Sequence, residues 1–128
     1  MIPWTSAELK KIEATEELRI SSLRKDGTLR TPVIIWVVRV DNDLYVRSVN
    51  GRTSAWFRGV QTQHEGHIRA GSVDKDVTFV DENDGDLNDQ IDAAYITKYR
   101  RYASIAKSMT TPAVRAATIK LVPRSLST

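Results

Sequence analysis

Leu29-Arg30-Thr31-Pro32-Val33-Ile34-Ile35-Trp36-Val37-Val38-Arg39-Val40, residues 29–40, carries the strongest structural signal in the chain. After Pro32 the run is almost wholly β-branched, with an indole inside it. Both alternating faces are apolar, so it predicts a central strand covered on both sides. Asp41-Asn42-Asp43 then breaks the run. Leu44, Val46 and Ser48 alternate with Tyr45, Arg47 and Val49 up to Asn50-Gly51, so the two segments should pair as an antiparallel hairpin.

Upstream, Leu18 to Leu23 alternates imperfectly and leads into Lys25-Asp26-Gly27-Thr28, a turn in which Gly27 is free to take positive φ. Further upstream, Thr5 and Glu8 form a capping box, and Trp4 and Leu9 occupy the positions of a hydrophobic staple, so a helix should start near Ser6. Downstream, Thr53 is placed to cap a helix that carries Trp56, Phe57 and Val60 on one face, released by the polar stretch Gln61 to Gly66. His67 to Ala70 and Val73 to Val80 flank Gly71-Ser72 as a second hairpin. Asp86 is placed to cap a helix with Leu87, Ile91, Ala94, Tyr95 and Tyr99 at helical spacing, and after the break at Pro112 a last strand is expected over Val114 to Val122. Strands outnumber helices and hairpins dominate. The chain therefore reads as mainly β with peripheral helices (α+β), a small antiparallel barrel occupying residues 1–128 as a single domain.

Composition narrows the classes without naming a function. The 128 residues are 41% hydrophobic and 27% charged, which excludes collagen-like and disordered chains, and the net charge is only +3. The basic residues are dispersed rather than striped, so nucleic acid is disfavoured as a partner. There is no cysteine, which removes disulfides, thiolate metal sites and cysteine nucleophiles. The longest apolar run, Val33 to Val38, is too short for a membrane helix, and the start lacks a signal pattern, so the expected compartment is the cytoplasm, with no membrane partner.

Most motif-like features fail on spacing. His64-Glu65-Gly66-His67 has Ile68 where a zinc-protease helix needs its second histidine, so no metal is assigned. The acidic loop Asp81 to Asp86, aligned on Gly85, places Val80 and Ile91 where a calcium loop requires carboxylates. No phosphate-cradling glycine loop and no nucleophile elbow is present, and no catalytic residue is assigned. What remains is the segment from Arg24 to Arg58. It interleaves Arg24, Lys25, Arg30, Arg39, Arg47, Arg52 and Arg58 with Trp36, Tyr45 and Trp56, combining guanidinium forks suited to phosphate with flat surfaces suited to a ring. The same residues also suit an ordinary hairpin with exposed arginines and core indoles.

Leu29-Arg30-Thr31-Pro32 before an apolar strand, Leu44 to Gly51 after it, and then Trp56-Phe57-Arg58 resemble the FMN-binding split-barrel superfamily. Within it, the chain is similar to an uncharacterised family of small proteins related to deazaflavin-dependent nitroreductases and flavin reductases. Three positions depart from the reductases: Phe57 stands where they have Tyr, Gly59 where Asn often follows, and Leu23-Arg24-Lys25-Asp26-Gly27 where they carry a Gly-x-x-Ser-Gly turn. The resemblance implies a six-stranded antiparallel split β-barrel, usually a homodimer, with FMN or deazaflavin between barrel and partner subunit. It assigns phosphate contacts to Arg30, Ser48, Asn50 and Arg52, and places Trp36 and Trp56 against the ring or in the lining of its pocket. The activity implied is a flavin- or deazaflavin-dependent reductase acting on a small organic substrate. A second reading has no cofactor: a small-molecule binder, or an isomerase or cyclase of a biosynthetic pathway, using pocket-facing Tyr45, His64 or Tyr95 as acid or base.

Overall fold

The computed structural model describes residues 3–124. Six strands, β1 (Glu17–Ser22), β2 (Val33–Val40), β3 (Asp43–Arg47), β4 (Glu65–Ala70), β5 (Val73–Asp81) and β6 (Thr118–Pro123), close into an antiparallel barrel in the order β1-β2-β3-β6-β5-β4. The antiparallel barrel read from the hairpins, and the six strands implied by the resemblance, are the fold found, and residues 33–40 form one of its strands. Five helices decorate it: α1 (Ser6–Glu13), α2 (Ala55–Gln63), α3 (Gly85–Lys98), α4 (Ala103–Ser108) and α5 (Pro112–Arg115).

The two apolar faces of β2 are used by two separate cores. Val37 points into the barrel with Leu18, Ile20, Leu44, Val46, Ile68, Val77, Phe79, Ile119 and Leu121, and this cluster also takes in Leu9 and Ile12 of α1 and Phe57 and Val60 of α2. Trp4 joins it and donates Nε1–H to the Leu121 carbonyl at 2.9 Å. Val38 on the other face packs with Tyr45, Ile91, Tyr95, Tyr99, Ala106 and Met109, beneath α3 and α4. The first residues of β2 are covered by neither core: Val33 is 37% and Ile34 51% exposed.

Several boundaries differ from the sequence expectation, each for a local reason. The capping box of α1 is present, with Thr5 and Glu8 bonding reciprocally. Ser54 rather than Thr53 caps α2, because Thr53 lies in the single turn Gly51–Thr53 that precedes it. Asp84 rather than Asp86 caps α3, its carboxylate accepting the Leu87 N–H at 2.8 Å, while Asp86 sits in the first turn. Val114 falls in α5, since Pro112 occupies the first helical turn, where its missing N–H is no loss, and β6 starts only at Thr118. β4 begins at Glu65, so Gly66 is part of a strand and not of a loop.

Lys98 ties these layers together. Its Nζ donates to the Val37 carbonyl at 2.6 Å and the Ile12 carbonyl at 3.3 Å, joining α3 to β2 and α1. Burial pulls its pKa from 10.5 down to about 8, against the opposing pull of Glu13 and Glu16. A folded-state pKa below the unfolded value means the unfolded chain holds the proton longer between those two values. The Lys98 contribution to stability is therefore expected to grow as pH goes from about 8 to 10.5, with the ammonium burial cost fully present below pH 8, while the raised Tyr45, Tyr95 and Tyr99 phenols act in the opposite sense near pH 10. Urea denaturation of wild type and Lys98→Met across this range checks it: wild type should gain stability relative to the variant as pH rises, and parallel profiles would refute it.

Candidate functional site

β2 passes from the barrel wall to the surface at Val33 and Ile34, and a groove large enough for a flat ring lies beside it. The groove has a volume of about 450 Å³ and is lined by Val33, Ile34, Ile35, Trp36, Arg47, Val49, Asn50, Trp56, Ile105 and Met109. Trp36 is stacked on Tyr99 at 3.8 Å between ring centroids, with Tyr102 tilted at 5.7 Å, so its orientation is fixed by α3 and the turn after it. Trp56 comes from the first turn of α2, whose cap Ser54 is held in turn by Ser48 Oγ at 2.8 Å. The walls are mainly apolar and aromatic with few polar groups, as flat-ligand sites are.

Arg47 forms part of the floor. It is a buried cation with all of its donors engaged: Nε to Thr118 Oγ1, Nη1 to Asp92 and the Met109 carbonyl, Nη2 to the side chain and carbonyl of Asn88. Asp92 also accepts from Arg115 at 2.7 Å, and Arg115 from there reaches Asp89. Arg47 thus contributes fixed positive charge, not a free hydrogen-bond donor.

A second hollow of about 190 Å³ adjoins the groove, sharing Val33 and Trp56 with it, and is lined by Ile20, Ser22, Arg24, Arg30, Thr31 and Ala55 as well. Arg30 Nε is buried there without any hydrogen-bond partner. Gly59 of α2 makes the room: a Cβ at that position would lie 2.6 Å from Ser22 Oγ and 3.0 Å from Arg30 Nε. The Gly59 departure noted in the sequence is therefore what lets the Arg30 side chain lie against α2 beside Ser22.

Of the six residues assigned from the resemblance, Trp36, Asn50 and Trp56 line the groove and Arg30 lines the adjoining hollow. Ser48 and Arg52 line neither. Ser48 is fully buried on Ser54, and Arg52 is spent on the Ala116 carbonyl at 2.9 Å and the face of Phe57. The acid–base candidates of the second reading do not face these hollows either. Tyr45 and Tyr95 belong to the core under α3, where burial pushes the Tyr45 phenol up to about 12 and the Tyr95 phenol further up. His64 is the exposed left-handed C-cap of α2 at φ 56°. Sequence patterning missed Ser22, which joins Arg24 and Arg30 in this hollow only because β1, the following turn and α2 meet in space.

Residues 8–121 match the model of a protein family described as "Uncharacterized protein conserved in bacteria (DUF2255)". No curated protein matches the chain. Among solved structures, HutZ, the heme storage protein from Vibrio cholerae, superposes with TM-score 0.67 at 12% identity, over 94% of this chain and 90% of that one. An F420-H2 dependent reductase (FDR-A) gives 0.60 at 15% identity, over 84% and 93%. A protein solved as a domain-swapped dimer gives 0.61 at 15%, over 84% and 79%. At these identities the likeness is one of fold, and the shared fold is the split barrel. No helix among the described residues is long and apolar enough to cross a membrane.

Proposed function

The chain belongs to the DUF2255 family, and on its split-barrel frame we propose an oxidoreductase that holds FMN or a deazaflavin between Trp36 and Trp56 and reduces a small organic substrate. The observation that carries this reading is Arg30, which lines the hollow beside the ring groove and makes no side-chain hydrogen bond or ion pair among the described residues, its Nε buried against Gly59 and Ser22. A half-buried guanidinium without an acceptor carries an uncompensated charge, which an anionic ligand in the hollow would offset. Arg30, with Arg24, Ser22 and Thr31 around it, takes the phosphate; Asn50 and the two indoles line the ring groove. This moves the phosphate end away from Ser48 and Arg52, neither of which lines either hollow.

When bound, the cofactor supplies the hydride or electron transfer. The protein's own share is binding and orientation. Trp36 is held rigid by Tyr99, Arg47 paired with Asp92 fixes the floor, and the apolar walls displace water from the ring. No side-chain acid is required. A heme reading, suggested by HutZ, gains nothing from this chain's histidines: His64 caps α2 and His67 is held on β4 by Asp74 and Asp76, both away from the groove.

The groove is also where a second copy of the chain fits. Val33, Ile34, Val49 and Ile105 are 37–52% exposed around it, an apolar patch that association would cover, and one structural neighbour is a dimer. Fluorescence titration of FMN, and of a deazaflavin, into wild type and Arg30→Gln, with sedimentation of the same samples, tests the whole reading. Saturable binding by a dimer, weakened about tenfold or more in Arg30→Gln, is expected from the loss of one charge-assisted bond. Absence of binding by either cofactor would remove the assignment.

A further inference from the structure

On the outer wall of the barrel one row of directly opposed residues runs Ile34, Arg19, Arg69, Asp74 across β2, β1, β4 and β5. Two arginines face each other in its middle. Like charges directly opposite on neighbouring strands destabilise a sheet, so the pair costs stability unless something anionic lies between them. Asp74, next in the row, is the obvious neutraliser, but its carboxylate is turned to His67 instead. Neither arginine makes an ion pair or a hydrogen bond among the described residues, and both are exposed.

Arg19 and Arg69 line a single cleft of about 520 Å³ together with Thr15, Glu16, Glu17, Ile34 and Gly71. Of its two carboxylates, Glu16 is engaged by the Tyr102 hydroxyl at 3.3 Å and Arg101 at 3.7 Å, and Glu17 lies two residues along β1 without bridging either arginine. Ile34 lines both this cleft and the ring groove. The surface thus presents an anion pocket at Arg30, a ring groove, and beyond Ile34 a second pair of guanidinium forks.

We propose that Arg19 and Arg69 form a second anion-binding site, which anchors the carboxylate or phosphate group of a small acidic substrate whose remaining atoms reach over Ile34 into the ring groove. The anion site stands on the row and the cleft alone; only its use by the substrate rests on the oxidoreductase reading. Paired guanidinium groups suit a carboxylate or a phosphate, each of which offers several acceptor oxygens to two forks.

The test uses Arg30→Gln as background, so that the pocket at Arg30 is silent. Inorganic phosphate and citrate are titrated separately at constant ionic strength, with melting temperature and amide shifts of β1 and β4 as readouts. The expected result is a saturable rise of several degrees with one of the two anions, accompanied by shifts at Arg19 and Arg69, and both lost when Arg19→Gln and Arg69→Gln are added. Whichever anion acts identifies the group. In anion-free, low-salt buffer the same two substitutions should raise the melting temperature by roughly 1–4 °C, since they relieve the repulsion. No response to either anion, or a response that survives the substitutions, would overturn the proposal. FMN binding by wild type is read independently: its failure would strike the oxidoreductase reading and leave the anion site standing, whereas normal FMN binding with no anion response would do the reverse.

Discussion

Replacing Gly66 with alanine is expected to unfold the protein or lower its stability by about 4 kcal/mol or more, which for a chain of this size is a fall in melting temperature on the order of 12 °C or more. Gly66 lies in β4, paired with Ser22 on one side and Val77 on the other. A Cβ there would sit 2.1 Å from the Ser21 carbonyl oxygen, 2.9 Å from Ser22 Cα and 2.9 Å from a ring carbon of Phe79. Two of those atoms are backbone, so no rotamer change relieves the contact. Strand β4 would have to leave β1, with loss of ladder bonds in a closed barrel that has no free edge to absorb the shift. Alanine at Gly59 makes the informative contrast. Its closest neighbours are the Ser22 hydroxyl and the end of the Arg30 side chain, both of which are able to move, and alanine is the better helix residue by up to about 1 kcal/mol. Gly59→Ala should therefore stay folded while displacing Arg30 and weakening FMN binding about as much as Arg30→Gln does. Urea denaturation and FMN titration of the two variants separate the cases; a stable Gly66→Ala, or a Gly59→Ala that binds FMN like wild type, would contradict the packing described.

These two glycines also show where the sequence stops being readable. The run from Val33 to Val40 announces a strand apolar on both faces, and the barrel gives each face its own core, so the architecture follows from a local pattern. The capping box at Thr5 and the apolar spacing of α3 are local in the same sense. Gly66, in contrast, reads as loop punctuation after a polar stretch, because its real reason is the approach of Ser21, which is remote in sequence. Among the candidate site residues, Trp36, Trp56, Asn50 and Arg30 are brought to adjoining hollows. Ser48 and Arg52 follow the same turn in sequence, yet their side chains turn to Ser54 and Ala116. Spacing fixes which turn a polar residue belongs to, not which of its neighbours takes its hydrogen bond. Arg47 is the extreme case. It sits among outward-looking arginines in the hairpin pattern, but its partners Asn88, Asp92, Met109 and Thr118 lie 41, 45, 62 and 71 residues away.

That long-range cluster supports the second large effect: Asp92→Ala should cost about 3 kcal/mol, roughly 10 °C in melting temperature. The Arg47 side chain is fully buried and Asp92 only 21% exposed, so removing the carboxylate leaves a desolvated cation with only neutral acceptors. Breaking one side of a buried ion pair typically costs about 3–5 kcal/mol, and the partial exposure of Asp92 places this case near the lower bound. Arg115 loses one of its two carboxylates at the same time, but it is near the surface, where that loss is small. Asp92→Asn keeps the acceptor without the charge and should fall between alanine and wild type. Arg47→Met together with Asp92→Ala should be less damaging than the sum of the single changes, because the unpaired charge is gone. The effect reaches the groove as well. Arg47 holds the Met109 carbonyl at 2.9 Å, and both residues line the groove, so an Arg47 released from Asp92 shifts the floor of the groove. FMN affinity measured on folded Asp92→Asn at low temperature should drop along with stability. Should Asp92→Ala instead melt within about 3 °C of wild type, the neutral acceptors around Arg47 would suffice to hold its charge, and the cost assigned to breaking the buried pair would have to be withdrawn.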